Sequence, residues 1–189
     1  MKGNTELNRI YSGWGSQWYH SSFTSKLTIT VPKGAEGGGS TAEAVTFPTA
    51  EHWMMVQKAL LFQDAEVARQ IMNVTGTGSE DMAFIKSLGR KVHGFDEATW
   101  VAKREGIVLE GNLLKFRQNA GLKAKLLATG EKRLVEASPR DRIWGVGFGK
   151  KNALSQRDRW GLNLLGKALE ETRRILREEA KLEESQAVA

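Results

Sequence analysis

Arg140, Asp141, Arg142, Trp144, Gly145, Gly147 and Gly149 bring guanidinium groups, a carboxylate, an indole and three glycines into one short stretch. Just upstream, Leu134-Val135-Glu136-Ala137-Ser138-Pro139 reads as a short strand that carries a second carboxylate. Guanidinium pairs with phosphate, indole stacks on a ring, and a carboxylate gives or takes a proton. Glycine lets backbone come close to a ligand. These types together suit a phosphorylated, ring-bearing small molecule such as a nucleotide. They also suit a strand followed by a glycine-rich turn with surface charges, and spacing alone leaves both open.

Two further groupings carry chemistry. Glu51 and Lys58 lie seven residues apart, on one helix face two turns apart, with Met55 between them. A carboxylate at a helix start and an ammonium along the same face could flank a sugar phosphate, or serve as a dipole-stabilising acid and a solvated base. Trp100, Lys103 and Arg104 are helical neighbours, so the indole could stack a base while the basic groups hold phosphate. Snorkelling stems around a partly buried tryptophan explain them equally.

The composition closes off several classes. The chain has 189 residues and no cysteine, which excludes disulfides, zinc–cysteine sites and a thiol nucleophile. His20, His52 and His93 are scattered without metal-ligand spacing, so no metal is expected. Walker A is absent, and Gly145-Val146-Gly147-Phe148-Gly149 departs from the dinucleotide fingerprint. No run approaches the roughly 18 apolar residues of a membrane span, so a soluble, cytoplasmic protein is expected. The net charge of +6 favours anionic partners. Its close mixing of signs from Lys167 to Glu184 makes a poor nucleic-acid stripe.

The elements that must position these residues can be read from caps and periods. Leu27, Ile29 and Val31 alternate as a strand, residues 33–41 read as a flexible glycine-rich loop, and Ala44–Phe47 could pair back. Thr49, Asp64, Ser79 and Asp96 are placed to cap helices running to about Gln63, Asn73, Gly89 and Asn119. A short helix over 121–129, a strand over 132–137 and a last helix over about 163–184 complete the chain. The expectation is a single α+β domain over 1–189, mostly helical with a small β-sheet.

These segments resemble the NADAR, or YbiA-like, family over most of the chain. Ser16-Gln17-Trp18-Tyr19 with Ser22-Phe23, Phe47-Pro48-Thr49-Ala50-Glu51-His52 and Gln57-Lys58-Ala59 are similar to its N-terminal segments. Leu88-Gly89-Arg90-Lys91-Val92, Trp100, Lys103 and Lys115-Phe116-Arg117-Gln118-Asn119 follow in the family's order. So do Leu126–Gly130, Leu134–Ala137, Asp141–Gly145 and Trp160–Gly166. Gln17 stands where the family usually has Asn, and Met54-Met55 where Phe-Gln is typical.

The resemblance implies an N-glycosidase cleaving the C–N bond of a phosphorylated ribosyl compound. Candidates are a riboflavin-pathway ribosylaminopyrimidine phosphate or an ADP-ribosyl conjugate, including an ADP-ribosylated nucleobase. It implies Glu51 beside the ribose with Asp141 as its partner. Lys58, Trp100, Lys103, Glu136, Arg142, Trp144, Gly145 and Asn163 become substrate-binding candidates, with Trp100 and Trp144 on the base. No cofactor is required. A non-catalytic ADP-ribose or NAD-binding module and a nucleic-acid-associated protein are the alternatives.

Overall fold

The computed structural model describes residues 7–10, 13–31 and 39–187. Its elements are β1 (Leu7–Ile10), β2 (Phe23–Val31), β3 (Gly39–Phe47), α1 (Ala50–Leu61), α2 (Ala65–Met72) and α3 (Ser79–Arg90). They continue with α4 (Glu97–Gln118), α5 (Ala120–Leu127), β4 (Arg133–Glu136) and α6 (Leu164–Ala187). The fold is α+β and mostly helical, as the caps and periods indicate. Contacts divide the chain into two compact units, one of His20–Lys115 and one of Met1–Tyr19 with Phe116–Ala189. Among the described residues no helix is long and apolar enough to cross a membrane.

In the His20–Lys115 unit, β2 and β3 pair antiparallel from Phe23↔Phe47 to Val31↔Gly39. Alternation buries Phe23, Leu27 and Ile29 on one face of β2. Both strands are longer than their apolar patterns suggest, because backbone pairing carries the exposed Thr24 and Glu43 and the half-buried Ser25. Gly39, Ser40 and Thr41, read as loop, begin β3. The remainder of the expected glycine-rich loop lies outside the described residues.

Phe23 stacks on Phe47 at 5.7 Å, and Trp53 of α1 meets Phe47 edge-on at 5.3 Å. The Trp53 indole N–H donates to the Ile107 carbonyl at 2.9 Å, so its polar tip is satisfied inside the core. Caps set the helix starts. Thr49 accepts from His52 N–H, Asp64 from Val67 N–H and Asp96 from Thr99 N–H. Ser79 is not the cap of α3. Gly78 takes that position, and its N–H donates to Asp81 Oδ2 at 2.9 Å. Asp81 reaches back to the cap backbone, and among the described residues no side chain takes the first-turn N–H groups as a serine hydroxyl would.

In the second unit, β4 pairs parallel with β1, from Leu7↔Arg133 to Ile10↔Glu136. The described residues therefore form two separate two-stranded sheets, and β1 lies in a segment that reads as irregular. A parallel partner more than a hundred residues away in sequence leaves no hairpin signal. α6 packs on β4 and α5. The Arg173 guanidinium donates to Thr129 Oγ1 and the Lys132 carbonyl, and Arg177 donates to the Gly130 carbonyl, closing the turn after α5. Val135, Ala137, Val146 and Ala153 form a core flanked by Phe148 and Trp160.

Gly166 marks where α6 approaches β4. A Cβ there would overlap the Leu134 carbonyl oxygen and the Asn163 side-chain amide. Neither can move without breaking a hydrogen bond. Gly166→Ala should therefore lower the unfolding free energy by about 2–3 kcal/mol in urea titration. Gly121→Ala has open space around it and should fall within about 1 kcal/mol of neutral, on the stabilising side.

Candidate active site

The glycine-rich stretch after β4 is ordered by one carboxylate. Asp141 Oδ1 accepts from the Ile143 and Trp144 N–H groups at 2.9 and 2.8 Å, with Gly145 N–H at 3.5 Å. The 142–146 backbone then pairs with 161–165. Leu162 N–H donates to the Arg142 carbonyl at 2.7 Å, Leu165 N–H to Trp144 at 3.1 Å and Gly161 N–H to Val146 at 3.0 Å. Gly145 lies so close to the Glu136 and Asp141 carbonyls that a Cβ would fall 2.8 and 3.0 Å from them. Gly147 has φ 78°, and the Arg142 stem covers it. Arg142 also donates to the Arg159 carbonyl at 3.0 Å while its side chain stays exposed. Trp144 is half-buried.

Glu136 ends β4 with its backbone fixed on both sides. Its N–H donates to Asn163 Oδ1 at 3.0 Å, and its carbonyl accepts from Val146 N–H at 2.9 Å. The side chain is half-buried, and Oε2 is sealed from water with no hydrogen-bond partner among the described residues. Burial, then the neighbouring Asp141 charge, push the carboxyl up to about 7. Asn163 is itself 3% exposed and adopts φ 51°. Its amide also donates to the Leu134 carbonyl at 2.9 Å, so it holds Glu136 in place and leaves little of itself for a ligand.

Glu51 occupies the first turn of α1 and is 2% exposed. The helix N-terminus presents partial positive charge to it, and Lys86 Nζ lies 3.9 Å from Oε1. His52, next to it, is held between Thr49 Oγ1 at 2.8 Å and the Val74 carbonyl at 2.9 Å. A carbonyl only accepts, so Nε2 carries the proton and Nδ1 faces the hydroxyl. Burial lowers the His52 pKa, against opposing effects of the Val74 carbonyl and Asp81. The imidazole is a neutral clamp on the helix start that carries Glu51.

Lys58 lies on the Glu51 face of α1, as the spacing requires. Its ammonium donates to the Gly89 carbonyl at 2.7 Å and sits 4.2 Å from the Phe95 ring centre and 5.5 Å from that of Trp100. Burial lowers its pKa, the Glu97 charge opposes this and Arg90 adds to it. Met55 packs over Gly89, where a Cβ would overlap its sulfur. Trp100 is 9% exposed, so it lines the Lys58 environment more than it offers a free face.

Lys103 goes elsewhere. It is exposed and lines a groove of about 650 Å³ with Lys26, Trp53, Gln57 and Glu110. Trp53 and Gln57 lie on the face of α1 opposite Glu51 and Lys58. The structure therefore joins Lys58 to Trp100, groups Glu136, Asp141, Arg142, Trp144, Gly145 and Asn163, and separates Lys103 from Lys58. Phe95 was not singled out by sequence. It follows Gly94, whose φ of 64° turns the chain toward Lys58, and no periodicity announces such a contact.

Comparison with known proteins follows the same residues. The NADAR domain model matches residues 7–177. N-glycosidase R617 of Acanthamoeba polyphaga mimivirus is 41% identical over 156 residues, covering 82% of each chain. N-glycosidase YbiA of Escherichia coli is 33% identical over 131 residues, 69% of this chain and 71% of that one. Its NMR structure superposes with a TM-score of 0.64 at 25% identity, covering 93% of this chain and 88% of that one. The riboflavin biosynthesis protein VVA0006 of Vibrio vulnificus is 30% identical over 140 residues, 74% of this chain and 34% of its own length.

The raised Glu136 pKa has a consequence for stability. A carboxyl whose folded pKa lies above its unfolded value, here about 7 against 4.5, stabilises the fold below the unfolded value. That contribution is lost as pH rises through the folded value. Relative to wild type, Glu136→Gln should gain about 1–3 kcal/mol between about pH 5 and pH 8. Denaturation curves at both pH values check this; a difference that does not change with pH would show the carboxyl already ionised in the fold.

Proposed function

This chain belongs to the NADAR domain family, and on that footing we propose that it is an N-glycosidase, a hydrolase acting on the C–N bond of a phosphorylated ribosyl compound. The observation that carries the reading is Glu51, a buried carboxylate in the first turn of α1, whose start is held by the Thr49–His52–Val74 clamp. Cleaving a ribosyl C–N bond builds positive charge on the sugar ring. A fixed negative group meets that charge as it develops, without reorganising at the moment of reaction.

The other residues take roles suited to their settings. Lys58, held by the Gly89 carbonyl and two rings, is a cation on the same helix face as Glu51 and suits the sugar or its phosphate. Arg142, anchored by one guanidinium nitrogen and otherwise exposed, suits phosphate. The half-buried Trp144 suits the base. Asp141 shapes the loop that carries both. The substrate class we favour is a ribosylaminopyrimidine phosphate or an ADP-ribosyl conjugate. The net charge of +6 and the naming of one relative for riboflavin biosynthesis support it.

Incubation with ribosylaminopyrimidine phosphates, ADP-ribosylated guanine nucleotides and NAD, followed by chromatography, tests this. Release of free base from at least one is expected, and binding without release would make the chain a reader of such ligands. On the substrate that is cleaved, Glu51→Gln should lower turnover at least about a hundredfold with little change in ligand affinity. Near-normal turnover would remove Glu51 from the reaction.

A further inference from the structure

We infer that Glu136 delivers a proton to the departing nitrogen, because the end of β4 holds its half-buried carboxyl beside Asp141 on backbone fixed at both N–H and C=O. This rests on the glycosidase reading above and adds to it the group that makes the base able to leave.

A proton donor must be neutral before the bond breaks, aimed, and able to recover its proton. Glu136 meets the first condition through burial. Oε2 is sealed from water and accepts no hydrogen bond among the described residues, so nothing there offsets a negative charge. The nearby Asp141 carboxylate acts in the same direction, so the acid that ends β4 and the acid of the loop after it are given different tasks. Asp141 shapes the loop as an acceptor from the Ile143 and Trp144 N–H groups. For the second, the backbone fixes the point from which the side chain starts. Asn163 and Val146 fix the residue on either side of its Cα, and Gly145 packs against its carbonyl. The carboxyl thus leaves β4 from a fixed backbone position, and no ion pair among the described residues strips it of its proton.

The step balances without a co-reactant. The C–N bond breaks and its electron pair goes to nitrogen, which takes the Glu136 proton and leaves a carboxylate. A water oxygen then bonds to the anomeric carbon, and the proton it sheds returns to Glu136. One water is consumed and the residue ends as it began.

The test uses a series of 5-phosphoribosylaminopyrimidines whose ring substituents withdraw electrons to graded extents, so that the departing nitrogen needs a proton less and less. Wild type should show turnover that changes little across the series. Glu136→Gln keeps the shape, cannot donate an acidic proton and should fold at least as well near pH 8. It should be at least about a hundredfold slower on the least activated member and within about fivefold of wild type on the most activated. A uniform loss across the series would make Glu136 a positioning residue and overturn the inference, as would unchanged turnover throughout. If wild type releases base from no member while binding them, the glycosidase reading itself fails, which is a different outcome from either.

Discussion

β4 is four residues long and, among the described residues, has a strand partner only in β1. Each polar group on the backbone edge formed by Leu134 and Glu136 must therefore find a partner outside the sheet, since an unpaired buried amide costs about 1–3 kcal/mol. Asn163 meets half of that need with one side chain. Its amide donates to the Leu134 carbonyl and its oxygen accepts from Glu136 N–H, a donor and an acceptor two residues apart, as a neighbouring strand would offer. Glu170 takes Leu134 N–H at 2.7 Å and Val146 gives its N–H to the Glu136 carbonyl. The start of α6, the 142–146 loop and the direction of Glu136 all follow from this one edge being satisfied. The left-handed backbone of Asn163 is strain that asparagine tolerates better than most residues, and it is compensated by these bonds.

The His20–Lys115 unit solves a different problem. α1 is nearly buried all round at its start, so its polar residues must be paired in place. Trp53 finds the Ile107 carbonyl, His52 finds Thr49 and Val74, and Lys58 finds Gly89. These bonds fix the rotation of the helix, and rotation decides which residues share a face. Glu51, Met55 and Lys58 go one way. Trp53 and Gln57 go the other and line the groove with Lys103. The same periodicity that paired Glu51 with Lys58 in the sequence thus also separates Lys58 from Lys103, because α4 presents Trp100 and Lys103 to different sides of α1.

Much of this was legible in the chain. Thr49, Asp64 and Asp96 each announce a helix because their side chains do one local thing, accept an N–H two or three residues on. Leu27, Ile29 and Val31 announce a strand by period. What stayed hidden depends on residues far apart. β1 is visible only through its partner, more than a hundred residues away. Asn163 reads as the start of the last helix or a ligand contact until β4 is seen to need it. Glu136 reads as one of three carboxylates, and only burial and Asp141 distinguish it. The order of motifs pointed to the family, which no periodic rule along the chain could do.

Lys58 shows how far a candidate's setting can limit its chemistry. An ammonium hydrogen-bonded to a carbonyl and lying over two rings has exchanged water for weaker partners, and its lowered pKa records that exchange. A charged hydrogen bond of this kind contributes about 1.5–3 kcal/mol, and a cation–π contact about 0.5–2 kcal/mol. A phosphate or sugar hydroxyl approaching Lys58 need not displace any of them. The ammonium has three N–H donors, and the Gly89 carbonyl occupies one. Arg142 differs in kind, because its guanidinium remains largely in water and a ligand must draw it out of that water. On this ground Lys58 is the preorganised cation and Arg142 the adaptable one.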